Sequence, residues 1–183
     1  VCNSTSGCLA FGAVVVGGVG NNSTGGTWDL ATCTFSVAPT ICNAGIYSFV
    51  GGGFQNRAVG SCSAIVGGFG NITSSSGSFV GAGQTNSACN SNTFIGAGNS
   101  NLVNAGSSGI VSGTVNTITS NASNSFIGGG VQNCVDGIYG GIVSGNKNFS
   151  QAWQGFIGGG NCNNVCNVTS GCLAFGAVVV GGV

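Results

Sequence analysis

The phrase Phe126-Ile127-Gly128-Gly129-Gly130-Val131-Gln132-Asn133 recurs along most of the chain. With its final Asn as the register mark, copies end at Asn21, Asn56, Asn71, Asn86, Asn101, Asn116, Asn133, Asn148 and Asn163. From Asn56 onward the step is 15 residues, except for a step of 17 between Asn116 and Asn133. A unit this short cannot bury a core by itself. Regular copies must stack and bury it jointly, which makes the chain a solenoid.

Within the unit, each position has its own chemistry. Three residues before every Asn stands a Gly: Gly18, Gly53, Gly68, Gly83, Gly98, Gly113, Gly130, Gly145 and Gly160. A Gly held at one place in every copy predicts a turn with positive φ or a close backbone approach. Six before the Asn stands Val or Ile, as in Val50, Ile65, Val80 and Ile95. These β-branched residues predict a strand, with this side chain on the inside of the coil. The two flanking positions trade volume. Phe49, Phe79, Phe94, Phe126 and Phe156 are followed two residues on by Gly, whereas Ala64, Gly109 and Gly141 are followed by Val. Those two positions share the opposite strand face. The strand is therefore apolar on both sides, a pattern of strands covered on both sides. One cover is the coil's own core; the other is expected to be a second layer, such as another chain.

Two residues after the Asn comes a second small apolar position, occupied by Ala58, Ala88, Val103, Ile118, Val135 and Val165 and broken by Ser23, Thr73 and Ser150. A coil thus reads as strand, Gly turn, Asn, short strand and looser turn. The fold expected is all-β: a parallel β-solenoid or β-roll of coils of about 15 residues. Stacking would align the Asn side chains in a hydrogen-bonded ladder, and each Asn also suits a left-handed turn position.

A longer period contains the short one. Residues 1–19 reappear as 165–183, with Ser4 against Val168 the only difference, so the long step is 164 residues. The segment reads as one unit of a tandem array plus the start of the next. Residues 1–21 form an irregular segment and first coil, 22–48 an insertion, 49–163 the regular body, and 164–183 the start of the next unit. The insertion carries Trp28, Asp29, Cys33, the single Pro39, Cys42 and Tyr47. It is expected to be a hairpin or loop leaving the stack, with a degenerate coil around Thr34–Val37.

Composition narrows function. Of 183 residues, 38 are Gly and only Asp29, Arg57, Asp136 and Lys147 are charged; there is no His. Zero net charge gives no electrostatic case for nucleic acid or an anionic membrane. The longest apolar run, Leu9 to Val19, is interrupted by Gly and too short to span a bilayer. No triad or carboxylate pair can be assembled, which argues against an enzyme. No Lys follows the Gly clusters as a phosphate loop requires. No cofactor or metal site is indicated. The long unit holds Cys2, Cys8, Cys33, Cys42, Cys62, Cys89, Cys134 and Cys162. An even count without His suggests disulfides and an oxidising, extracellular setting, with Cys33–Cys42 and Cys2–Cys8 as candidate pairs. Zinc and free thiols packed as small apolar groups are the rival readings. Among the glycosylation sequons, Asn3, Asn22 and Asn121 lie off the Asn register and are the better candidates, whereas Asn21, Asn71 and Asn148 lie on it.

The phrase Ser125-Phe126-Ile127-Gly128-Gly129-Gly130-x-x-Asn133 with Val135 following resembles the head repeat of trimeric autotransporter adhesins and related repeats of large surface and fibre proteins. The resemblance covers residues 49–163 and omits the insertion. It implies a left-handed parallel β-roll, often three chains around one axis, on a cell or particle surface. No ligand-binding residue carries over. Two functions are therefore expected: a structural subunit of a long extracellular fibre assembling with itself end to end and in trimers, or an adhesin or fibre head whose 22–48 loop binds a receptor.

Overall fold

The computed structural model describes residues 11–21, 27–37, 45–166 and 175–182. Every regular element among them is a strand. No helix among them is long and apolar enough to cross a membrane. Each body coil supplies two two-residue strands, and strands of successive coils pair in parallel. Numbered in chain order, the first sheet contains β1 (Val14–Val15), β4 (Phe49–Val50), β6 (Ala64–Ile65), β8 (Phe79–Val80), β10 (Phe94–Ile95), β12 (Gly109–Ile110), β14 (Phe126–Ile127), β16 (Gly141–Ile142), β18 (Phe156–Ile157) and β20 (Val178–Val179), in that spatial order. The second contains β5 (Arg57–Ala58), β7 (Ile72–Thr73), β9 (Ser87–Ala88), β11 (Leu102–Val103), β13 (Thr117–Ile118), β15 (Cys134–Val135), β17 (Phe149–Ser150) and β19 (Asn164–Val165).

The β-branched residue of each first strand faces inward. Val50, Ile65, Val80, Ile95, Ile110, Ile127, Ile142 and Ile157 are fully buried, and Ala58, Ala88, Val103, Ile118 and Val135 meet them from the second sheet. Full burial of one such Val or Ile is worth about 1.5–3 kcal/mol. Thr73 and Ser150, which break the apolar pattern, are buried as well. They are satisfied locally: Thr73 Oγ1 donates to Ser63 Oγ at 2.9 Å, and Ser150 Oγ donates to the Gly155 carbonyl at 3.1 Å.

The longer step between Asn116 and Asn133 leaves both sheets in register. Thr117 pairs with Cys134 and Gly109 with Phe126, so the two additional residues fall between β13 and β14. There the Ala122 N–H donates to the Thr119 carbonyl at 3.1 Å, and Ala122 fills the core. The insertion behaves differently. Its β2 (Thr27–Asp29) and β3 (Thr34–Val37) pair antiparallel as a separate two-stranded sheet, bonded to neither solenoid sheet. The expectation of a degenerate coil at Thr34–Val37 is thereby corrected: that segment is one arm of a hairpin. Asp29 Oδ1 accepts the N–H groups of Ala31 and Thr32 at 2.8 and 3.4 Å, which fixes the turn locally. By Gly45 the chain is back in the stack, its N–H donating to Ala58 O at 2.9 Å.

Candidate functional site

The features that recur in every coil form three columns along the stack. The Asn column is fully enclosed in the body, with Asn56, Asn71, Asn86, Asn101, Asn116, Asn133 and Asn148 showing no solvent exposure. Asn71 shows the bonding. The two hydrogens of its Nδ2 are shared among Gly67 O at 3.1 Å within the coil, Gly83 O at 2.9 Å in the next coil, and Asn56 Oδ1 at 3.1 Å in the previous one. Its Oδ1 accepts the Asn86 N–H at 3.0 Å. Asn21 enters the ladder by accepting the Asn56 N–H at 2.9 Å, and Asn163 extends it by donating to Asn148 Oδ1 at 3.0 Å. A buried amide is costly unless bonded, and here the amides of Asn71, Asn86, Asn101, Asn116 and Asn133 each link three coils.

The Gly column makes that ladder possible. Gly18, Gly53, Gly68, Gly83, Gly98, Gly113, Gly130, Gly145 and Gly160 all have positive φ, between 88° and 112°. A Cβ at Gly98 would lie 2.1 Å from the Gly113 carbonyl oxygen and 2.5 Å from Asn101 Nδ2. Conformation and space therefore both demand glycine. The other glycines of the phrase have other causes. A Cβ at Gly96 would lie 2.4 Å from Val111 O and 3.4 Å from the Phe94 ring, which folds over its own strand. The close approach here is the carbonyl of the next coil, repeated at Gly51, Gly81 and Gly128. At Gly67, between these two positions, an added Cβ meets nothing within 4 Å.

The third column carries no signal strong enough to stand out in the sequence. Ser48, Ser63, Ser78, Thr93, Ser108 and Ser125, each just before a first-sheet strand, are buried. Ser78 Oγ lies 2.8 Å from both Ser75 O and Asn90 O, with its one proton shared between them, and Ser108 Oγ accepts the Ser125 N–H at 3.0 Å. Gly140 and Gly155 continue the column. A Cβ at Gly155 would press on Ser150 Oγ at 2.6 Å, so a hydroxyl from the second sheet displaces the one from the column.

The cysteines do not form the expected framework. Cys33, Cys62, Cys89, Cys134, Cys162 and Cys166 are free thiols, which corrects the disulfide reading for these residues. The cause is register. A disulfide requires Cα atoms within about 7 Å, and no two of these cysteines stack on one another in adjacent coils: Cys134, for instance, lies between Thr117 and Phe149. Cys33 donates weakly to Leu30 O at 3.8 Å. Cys2, Cys8 and Cys42 lie outside the described residues, and with them the partners in both candidate pairs. Burial, and secondarily the nearby Asp136, pushes the Cys134 thiol pKa up. Asp136 itself ties down the longer turn: its Oδ1 accepts from Thr119 Oγ1, and from Asn121 Nδ2 at 3.1 Å. Asn121 is exposed there, whereas Asn3 and Asn22 lie outside the described residues. Among the described residues no three His, Cys, Asp or Glu side chains form a group that could hold a metal ion.

One feature is turned outward. On the solvent side of the first sheet, Phe49, Phe94, Phe126 and Phe156 remain 37–46 % exposed, and Val66, Val111 and Val143 between them 44–52 %. Phe79 stacks on Phe94 with centroids 5.6 Å apart and an interplanar angle of 4°. No described element covers this stripe. The columns and the stripe together define a β-solenoid repeat protein whose recurrent polar groups hold coil to coil. No protein-family model matches the chain, and no curated protein matches it.

Proposed function

We propose that this chain is a structural subunit of a long fibre on a cell or particle surface, built from 164-residue units stacked along one axis. The observation that carries this reading is the placement of the repeated segment. Val14–Val15 and its copy Val178–Val179 occupy the two ends of the same ten-stranded sheet. The second copy thus stands where the first strand of a following unit would stand. The exposed Phe and Val stripe supplies a lateral face for further copies of the chain, in keeping with the trimeric families that the repeat resembles.

Mass per unit length of the fibre, by scanning transmission electron microscopy, tests both statements. From β1 to β20 there are nine strand spacings, which at about 4.8 Å each give a rise of roughly 43 Å per unit. One chain per cross-section then weighs on the order of 0.4 kDa per Å, and three chains on the order of 1.1 kDa per Å at that spacing. The three-chain value is expected; the one-chain value would remove the lateral assembly, and a value that is no whole multiple of the one-chain value would remove the axial stack.

A second reading rests on the β2–β3 hairpin, which belongs to neither solenoid sheet. Loops that leave a repeat stack are where ligand contacts concentrate. On this reading the chain is an adhesin or fibre head that meets a receptor through residues 22–48. Replacing those residues with a short linker separates the two: fibres form and adhesion fails if the hairpin binds, whereas unchanged adhesion excludes it.

A further inference from the structure

The two copies of the repeated segment show the two sides of one coil. In the first copy, the N–H groups of Val14, Val16 and Val19 donate to Ser48 O, Val50 O and Gly53 O at 2.8, 3.0 and 2.9 Å. All three bonds point toward the following coil. In the second copy, the carbonyls of Ala177, Val179 and Gly182 accept from Phe156, Gly158 and Asn161 at 2.8, 2.7 and 3.0 Å. All three point toward the preceding coil. In first-copy numbering those carbonyls belong to Ala13, Val15 and Gly18. The two sets of groups do not overlap, because successive residues of a strand turn their backbone groups to opposite neighbours. The aromatic contacts divide in the same way. Phe11 meets Tyr47 of the following coil at 5.9 Å, and its copy Phe175 meets Trp153 of the preceding coil at 5.0 Å.

A single copy of this segment is therefore able to make both sets of bonds at once. The amides of Val178 and Val180 face off the end of the stack, and they are the copies of the Val14 and Val16 amides that bond to β4. We infer that two copies of this chain join head to tail by exchange. Residues 175–182 of one copy take the seat on β4 of the next copy, in place of that copy's own residues 11–19. In the joint, Val178 lies opposite Phe49 of the next copy, as Val14 does within one chain, and Val179 lies opposite Val50. Side-chain packing is preserved too, because Val15 and Val179 both pack against the core end that they cover. This deepens the fibre reading by naming the partner that lengthens the stack, a second copy of the chain, and the strand that joins it.

The test uses the full chain with substitutions that unseat one copy at a time. Val15→Asp places a carboxylate against the core and weakens the intramolecular occupant of the seat, leaving the donor segment intact. Val179→Asp spoils the donor and leaves the seat filled. Sedimentation velocity of V15D is expected to show a ladder of species at multiples of the chain mass, 17.6 kDa. V179D and the double variant V15D/V179D are expected to stay monomeric. The double variant mixed with the unmodified chain is expected to give a one-to-one complex, because one partner offers only a seat and the other a donor. Far-UV circular dichroism checks that the remaining coils are intact; if V15D loses them, Val15→Ser in its place supplies a milder unseating for the same measurement. A monomeric variant with intact coils and an open seat overturns the exchange. So does equal oligomerisation of the single and double variants, which would mean edge association without the copied strand. Either result leaves the fibre's mass per unit length unaffected, so the exchange and the fibre reading fail separately.

Discussion

At the residue scale, the Gly-Gly-Gly phrase resolves into three different constraints. Gly98 combines a φ of 112° with backbone atoms 2.1 Å from where a Cβ would sit. Gly98→Ala is expected to destabilise the chain by about 2–3 kcal/mol, since left-handed strain and a collision with immovable backbone act together. Gly67→Ala, one position earlier in the repeat, is expected to change stability by less than about 0.5 kcal/mol, because nothing fills that space. Urea denaturation of the two variants makes the comparison, and equal losses would show that the column does not hold the stack. The repeat itself carries this distinction: Ala82, Ala97, Ser112 and Ser144 occupy the tolerant position, while the strict position admits only Gly. The left-handed corner just before each Asn is less demanding, and Val115 sits there with φ 57° and 45 % exposed. A β-branched residue is poorly suited to that conformation. Val115→Asn is expected to raise stability by about 1 kcal/mol, visible as a higher melting temperature.

At the element scale, the coil and the hairpin are held by different physics. A coil is secured by its neighbours: the Asn amides, the hydroxyls of Ser78, Ser108 and Ser125 and the parallel ladders reach into adjacent coils, so its stability is a nearest-neighbour property. The hairpin turn is secured locally, by Asp29. Its carboxyl is held below the ordinary carboxylate range chiefly by the Ala31 N–H, then by the Thr32 side chain. A depressed carboxyl pKa stabilises the folded turn above the unfolded pKa, and that contribution is lost as pH falls through the lowered folded value. Acidification below about pH 4, the ordinary carboxylate region, is therefore expected to shift the Ala31 and Thr32 amide resonances while those of body residues such as Asn101 stay fixed. Loss of both sets together would mean that the hairpin and the stack unfold as one unit. Thiol chemistry separates by element in the same way. Cys134, half-buried with its pKa raised, is expected to react with a disulfide reagent more slowly than exposed Cys62, and the order reverses only if β15 opens.

At the scale of the whole molecule, the outward stripe and the ends of the stack decide how copies meet. Phe94→Ser together with Phe126→Ser removes rings that a single chain leaves 43 and 46 % exposed. The pair is expected to cost the isolated chain little stability and to lower the fibre from the three-chain to the one-chain mass per unit length. An unchanged mass would assign lateral contact to another face. Repetition by itself determined the all-β solenoid, the inward Val and Ile, the Gly turns and the position of the insertion, because stacked copies impose the same geometry at every coil and the pattern repeats visibly. Tertiary structure alone decided three matters. The cysteines follow no coil position, so whether any two would meet depended on register. The burial of the Ser and Thr column, and the neighbouring carbonyls that accept from Ser78, Ser108 and Ser125, exist only once coils are stacked. The two copies of residues 1–19 are one string of letters, and only their seats at opposite ends of a sheet assign one copy's bonds to the coil ahead and the other's to the coil behind.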